Sequence, residues 1–330
     1  MKPIDMLFGN PTFLQEYRDN IYGKSSVHFS ENEYMPYIRS NTYLPLVEQI
    51  KKTHRLVGNI EIADTDEIVI GVGATQVLFA TLETVYGDRI WIESPYWFRF
   101  EKITEMLGIN MCDYADDELL VLPNNPNNKV RLPNASLRTP AVDACYLWPY
   151  YFRKSDDYKT ATEVLKAVAP QVTIFSLAKC TGHAASRIGW AIVKDKEVAK
   201  QMRSYIEYST GGASIEAQVR AASVLQFSAR DMESMAARLE DRWKMLEEQN
   251  FNNIKLLNIT SGGMFLFGEC TDPRFYDMLT AKNVLFMKGT QCGSHEGTFR
   301  ANMGCDMETL ERFIKVLQQI DKEIEYDQGN

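Results

Sequence analysis

The chain has 330 residues, 45% hydrophobic and 24% charged, enough for a large core divided between two domains or gathered into one. Its formal net charge of -8 argues against a nucleic-acid or anionic-membrane partner, and no apolar run approaches the ~20 residues of a membrane span. Six cysteines stand singly and four histidines show no metal-ligand spacing, so the chain reads as cytoplasmic, with free thiols and neither a disulfide framework nor a metal centre. Residues 1–5 open without a long apolar signal core.

Taken in chain order, apolar patterning predicts strands over 68–70, 89–92, 119–122, 142–147, 172–175 and 190–193. Helices are predicted over 77–86, 98–107, 161–169 and 196–207, and the Asn/Pro cluster at 123–128 is a loop. Strands alternating with helices mean an α/β fold with a mostly parallel sheet, here a large domain over 46–227. The texture changes near residue 228. A long helix over 229–248 precedes strands at 254–257 and 264–267, a helix at 272–281, strands at 284–287 and 298–301, and a helix at 307–324. Residues 325–330 are expected to fray. With residues 1–45, this part is predicted to form a smaller α+β domain.

The richest chemistry lies in Ile-Phe-Ser-Leu-Ala-Lys-Cys-Thr-Gly-His-Ala-Ala-Ser-Arg-Ile-Gly-Trp, residues 174–190. A strand-like run ends at Ser176; Lys179 follows, then Arg187. Burying an ammonium is costly unless it is neutralised or paired, and a desolvated lysine that sheds its proton condenses with a carbonyl. With Ser176 and Arg187 holding a phosphate, this is the pattern of a pyridoxal phosphate site, Lys179 forming the Schiff base. A solvated strand-end lysine is the plain alternative. A Ser-x-x-Lys hydrolase centred on Ser176 is another, but it needs Ser-Asp-Asn and Lys-Thr-Gly partners that the chain lacks.

Other segments supply what such a cofactor requires. Gly73, Ala74, Thr75 and Gln76 follow a strand and open a helix, a cradle for phosphate. Trp97, in Pro95-Tyr96-Trp97, is a ring able to stack on the pyridine, and core packing is its plain alternative. Asp143, in an otherwise apolar strand, suits a pyridinium N–H, and Tyr146 or Asn125 suits the phenolic oxygen. Asn125 beside Pro126 is also what an ordinary turn contains. Arg300 offers a guanidinium to a substrate carboxylate, with Asn125 and Trp97 beside it, although most arginines are simply solvated.

The order of these elements resembles fold-type I pyridoxal phosphate enzymes, and three stretches resemble the alliinase and tryptophan aminotransferase branch. They are His54-Arg55-Leu56-Val57-Gly58-Asn59 leading to residues 71–76, Asp143-Ala144-Cys145-Tyr146-Leu147-Trp148-Pro149, and residues 179–190. The resemblance implies the aspartate aminotransferase-like fold, pyridoxal 5'-phosphate as cofactor, and catalysis by Lys179 with Asp143 and Tyr146. It also implies an amino acid and a 2-oxo acid as small-molecule partners. A homodimer with shared sites is a further implication, with Tyr43 or residues 208–211 crossing the interface. Departures occur at Tyr150, where the branch has histidine, and at Asn127-Asn128-Lys129; the chain also lacks the cysteine-rich N-terminal module of plant alliinases. Transamination and β-elimination of a carbon–sulfur bond use the same residues. The missing module and an aromatic cluster of Trp97, Tyr150, Tyr151 and Phe152 favour an aminotransferase accepting aromatic substrates. A catalytically silent protein on this fold is the third reading.

Overall fold

The computed structural model describes residues 3–22 and 42–328. In chain order the elements are β1 (Ile4–Asp5), α1 (Thr12–Tyr22), α2 (Leu44–Val57), β2 (Glu67–Val72), α3 (Gly73–Val85), β3 (Arg89–Ile90), α4 (Phe100–Met106), β4 (Asn110–Met111), β5 (Asp117–Val121) and β6 (Arg138–Asp143). They continue through α5 (Ser155–Val168), β7 (Val172–Ser176), α6 (Leu177–Thr181), β8 (Ile188–Val193), α7 (Lys196–Thr210) and α8 (Ile215–Val224). The remainder comprises α9 (Ala229–Glu247), β9 (Ile254–Leu256), β10 (Phe265–Cys270), α10 (Phe275–Ala281), β11 (Val284–Leu285), β12 (Met287–Lys288), β13 (Thr298–Asn302) and α11 (Met307–Gln328).

Among the described residues, β2-β8-β7-β6-β5 form one sheet, in that order. β5, β6 and β7 are parallel, and β8 runs antiparallel to both of its neighbours. The β3–β4 pair continues the sheet at β5, through Trp91 N to Asp117 O at 2.9 Å and Leu119 N to Trp91 O at 3.0 Å. Strands buried on both faces need apolar residues at consecutive positions, and β7 and β8 have them. Their alternation divides two cores. Phe175, Ile188, Trp190 and Ile192 face one; Val172, Ile174, Ala191 and Val193 face the other, against α3 and α7.

A second sheet, β12-β13-β10-β9, is antiparallel. The strand expected over 284–287 divides between sheets. Val284 and Leu285 pair with β1, whereas Met287 and Lys288 pair with β13, so Phe286 is where the chain changes partner. The strand expected over 142–147 ends at Asp143. Cys145 N turns back to Asp143 Oδ1 at 3.0 Å and Leu147 N bonds Ala144 O at 3.0 Å, a local turn that outcompetes the ladder. The end expected to fray is helical to Gln328, where Asp327 accepts from Arg274 at 2.6 Å; residues 329–330 lie outside the described residues. Patterning missed β1, α1, α2, β4, α6 and α8.

Helix α2 is fastened to the first core by a polar chain. Trp190 Nε1 donates to His54 Nε2 at 3.0 Å, His54 Nδ1 meets Asn59 Oδ1 at 2.7 Å, and Asn59 Nδ2 donates to Leu147 O at 2.8 Å. His54 must therefore be neutral, and burial holds its pKa down to about 4, opposed by the Asn59 bond. An unfolded histidine titrates near 6.5, so below that pH the unfolded chain takes up the proton that the fold refuses. Stability from this site is complete above pH ~6.5 and falls by about 3 kcal/mol as pH drops to about 4. Urea titrations at pH 7 and pH 5 should show a loss in the native chain that is smaller in His54→Gln; equal losses would refute it.

Candidate active site

The parallel strands β2, β5, β6 and β7 end on one edge, and the antiparallel β8 begins there. Ligand crevices in α/β sheets lie at such an edge. A cavity of about 510 Å³ occupies it, closed from above by residues 7–10 and by β10, β12 and β13 of the second sheet. Ala74, Thr75, Trp97, Asn125, Asp143, Tyr146, Ser176, Lys179, Arg187 and Arg300, separated by up to 226 residues of sequence, all line it.

Lys179 reaches the cavity because β7 turns at Ser176 directly into the single-turn helix α6. So short a helix leaves its carbonyls without intrahelical partners. Tyr151 Oη donates to Lys179 O at 2.8 Å, and Tyr150 Oη donates to Cys180 O at 2.7 Å and Lys179 O at 3.1 Å. The aromatic cluster expected in the pocket is thus divided. Trp97 lines the cavity, Tyr150 and Tyr151 lie beneath the lysine turn, and Phe152 packs on Tyr158 with ring centres 5.4 Å apart. A buried phenol hydroxyl needs an acceptor, and these two tyrosines find theirs in the backbone.

The Lys179 amine donates to Gly9 O and lies 5.5 Å from the centre of the Tyr146 ring. A side chain at position 9 would crowd Phe265 at 2.6 Å and the amine at 3.1 Å, which explains the glycine. Burial lowers the Lys179 pKa to about 8; Cys145 opposes the shift, and Arg300 and Arg187 add to it. Lys179 and Asp143 are only partly buried by surface exposure because both open onto the cavity. Burial raises the Asp143 pKa, countered by hydrogen bonds from the Cys145 side chain and backbone. Burial also keeps the Tyr146 hydroxyl protonated far beyond the ordinary tyrosine range.

The cradle opens α3, so Gly73 to Gln76 form its first turn rather than a loop before it. Gly73 has φ +73°, and a Cβ there would collide with Nη2 of Arg187. The helix N-terminus and the guanidinium are therefore adjacent. Gln76 departs from the expected cradle role. Its Oε1 accepts from Val72 N at 2.7 Å and its Nε2 donates to Ser209 Oγ at 2.9 Å and Thr210 Oγ1 at 2.7 Å, outside the cavity. Gly73 contributes backbone only.

Arg300 sits in the middle of β13, 2% exposed. Its Nη1 donates to Asn125 Oδ1 at 3.3 Å and its Nη2 to Leu7 O at 2.9 Å, it stacks on Phe265 at 4.2 Å, and its Nε has no partner. Among the described residues no carboxylate pairs with it. A buried cation in that condition, an enclosed aspartate that forms no ion pair among the described residues, and a glycine turn packed on an arginine fit a ligand with an anionic phosphate, a basic ring nitrogen and a carboxylate-bearing partner. Residues 7–9, Phe98, Arg99, Cys145, Phe265 and Met287 also line the cavity, and sequence reasoning missed them as site residues.

The family model described as Allinase matches residues 4–255. Tryptophan aminotransferase-related protein 1 of Oryza sativa subsp. japonica is 32% identical over 201 residues, 55% of this chain and 43% of that protein. Tryptophan aminotransferase-related protein 2 of Arabidopsis thaliana is 28% identical over 82% of this chain and 67% of its own length, and an alliin lyase of Allium cepa is 26% identical over 67% and 50%. The chain spans about half the length of the curated relatives it matches. Among solved structures, the aromatic aminotransferase of Pyrococcus horikoshii OT3 superposes with a TM-score of 0.73 at 18% identity, covering 98% of this chain and 96% of that one. The aspartate aminotransferase of Thermotoga maritima superposes with a TM-score of 0.72 at 17% identity, covering 98% and 92%. The chain thus has the aspartate aminotransferase-like fold and belongs to the alliinase family, with pyridoxal phosphate as its cofactor.

Proposed function

We propose that the chain is an aminotransferase, moving the α-amino group of an L-amino acid with an apolar or aromatic side chain to a 2-oxo acid in two half-reactions at one site. The observation that carries this reading is a lysine lowered to about 8 facing, across one cavity, a buried guanidinium that lacks an acidic partner. The walls between them are Leu7, Phe8, Trp97, Phe98, Phe265 and Met287, which suit an apolar substrate side chain. Similarity to tryptophan aminotransferase-related proteins supports the same choice.

Pyridoxal phosphate, when bound, supplies a conjugated ring that accepts the electron pair left on the substrate's α-carbon. Gly73, Ala74 and Thr75 at the start of α3, with Ser176 and Arg187, would hold its phosphate. Asp143 would keep a proton on the ring nitrogen, Tyr146 would donate its hydroxyl proton to the ring oxygen, and Trp97 would cover one face. Arg300, with Asn125 bonded to it, would bind the substrate carboxylate. Lys179 Nζ would take the α-proton as general base and return it elsewhere; near neutral pH its lowered pKa leaves an appreciable unprotonated fraction. The relatives named alliin lyase favour a second reading, in which the same groups drive loss of a β-substituent. A homodimer with shared sites fits the exposure of Leu44 at 70% and Tyr208 at 89%, and a cytoplasmic location fits six cysteines that form no disulfide with one another.

Lys179→Ala should remove the cofactor's visible absorbance band and lower turnover by roughly 10²–10⁴-fold, as loss of a general base does. An unchanged spectrum would end the assignment of Lys179. Uptake of pyridoxal phosphate by the cofactor-free protein should accelerate with rising pH through about 8, as the amine loses its proton, and level off above it. A rate that is flat with pH would contradict the lowered pKa. Incubation with an amino-acid panel, with and without a 2-oxo acid, should give product only when the acceptor is present. Acceptor-independent pyruvate, ammonia and thiol would establish the lyase reading instead.

A further inference from the structure

The turn that carries Lys179 is held from one side by two hydroxyls. α6 is a single turn ended by Gly182 at φ +82°, so no longer helix orients the Lys179 carbonyl. Tyr151 Oη donates to that carbonyl at 2.8 Å and Tyr150 Oη at 3.1 Å, Tyr150 also reaching Cys180 O at 2.7 Å. Both tyrosines are 1% exposed, and burial pushes their pKa values well above the ordinary range, so both stay donors near neutral pH.

This platform is itself fixed. The two tyrosines belong to the tight turn Pro149–Tyr151, where Tyr151 N bonds Trp148 O at 3.0 Å and Asn128 Nδ2 donates to Tyr151 O at 3.2 Å. Their rings meet edge-on at 4.8 Å, and Phe13 of α1 packs on them at 6.4 and 6.3 Å. The Tyr151 ring also meets that of Tyr146 edge-on at 5.4 Å, and Lys179 Nζ lies 5.5 Å from the centre of the Tyr146 ring. Tyr151 thus bears on Lys179 at its carbonyl and, through Tyr146, at its amine. Between those two ends runs a flexible four-carbon stem. Such a stem delivers its amine accurately only from a fixed root.

We propose that Tyr150 and Tyr151 are positioning residues for Lys179, their hydroxyls fixing the turn from which the amine reaches the cofactor. This rests on the role proposed above for Lys179, and it holds alike for transfer of the amino group and for loss of a β-substituent. Neither tyrosine lines the cavity, so both act through the lysine rather than on the reacting atoms. Displacing a reacting group by about 1 Å costs on the order of 10²-fold in rate. A buried carbonyl that loses its donor is free to make such a displacement in search of another.

Replacing each tyrosine by phenylalanine removes a hydroxyl and keeps the ring. The probes are pyridoxal phosphate, whose aldehyde condenses with the lysine amine and releases water, and pyridoxamine phosphate, which forms no such bond. Cofactor-loaded protein is dialysed against mixtures of the two, and the bound ratio is read from absorbance. The native protein should prefer the aldehyde form. Tyr151→Phe should reduce that preference by about tenfold, the size of one buried hydrogen bond. Tyr150→Phe should reduce it less, because its shorter bond is to Cys180, and the double variant should reduce it most. Affinity for pyridoxamine phosphate should not change. Exchange of a bound amino acid's α-proton with heavy water should slow in kcat by about tenfold or more, with KM unchanged. A preference that survives Tyr151→Phe, or equal weakening of both cofactor forms, as a purely structural role requires, overturns the proposal; Tyr151→Phe decides alone where the double variant does not fold. Failure of the Lys179 assignment would show separately, as a preference for the aldehyde form that survives Lys179→Ala.

Discussion

Among the described residues the interior amine of Lys179 forms no ion pair with a carboxylate, and much of the surrounding architecture answers that condition. A bare ammonium cannot be enclosed cheaply, so the fold holds it with a single carbonyl, that of Gly9, and with the face of Tyr146. The backbone beneath is held more firmly, by two phenol hydroxyls on the carbonyls of Lys179 and Cys180. Rigid backbone under a weakly held amine would suit the role proposed for Lys179, forming and releasing a covalent bond without moving its helix. Two arginines in the same cavity add to the pressure on its proton.

The same arithmetic of charge extends outward. Among the described residues Asp143 forms no ion pair and is held by hydrogen bonds from Cys145, whereas Arg300 is buried with one nitrogen unpartnered. Each is an incomplete pair in the protein alone, and each would be completed by a different part of the bound molecules. Buried ions left in this condition destabilise a fold, and such tolerated strain is characteristic of sites rather than of scaffolds.

Much of the first sheet was legible because its strands are buried on both faces and therefore spell apolar runs; 172–175 and 190–193 each fall within a strand of the structure. Lys179, Asp143 and Arg187 stood out as candidates because charge in or beside an apolar strand has few ordinary explanations, Arg300 only by its place in the order of elements, and the structure brings all four to one cavity. What escaped did so for physical reasons. The run beyond Asp143 looks like a strand, yet the carboxylate captures Cys145 N and ends the ladder. Gln76 resembles a cradle residue by position, but only the tertiary neighbour α7 shows where its amide goes. Tyr150 and Tyr151 carry the same aromatic signal whether they face a pocket or a backbone carbonyl. Gly9 is unremarkable in sequence and acquires meaning from Lys179 and Phe265, far along the chain.

The antiparallel β8 has a consequence for how such a protein changes over time. Because it returns from α6 to the same edge, Ser176, Lys179 and Arg187 lie on one short stretch, next to the α3 turn. Other groups facing the cavity, Leu7, Phe8, Phe98 and Met287, are remote from that stretch in sequence and belong to other segments. Mutations in those outer segments are free to alter what enters without loosening what is anchored. A lineage built on this hairpin can therefore exchange one metabolic role for another through a few surface-facing substitutions, while its cofactor chemistry passes unchanged from ancestor to descendant.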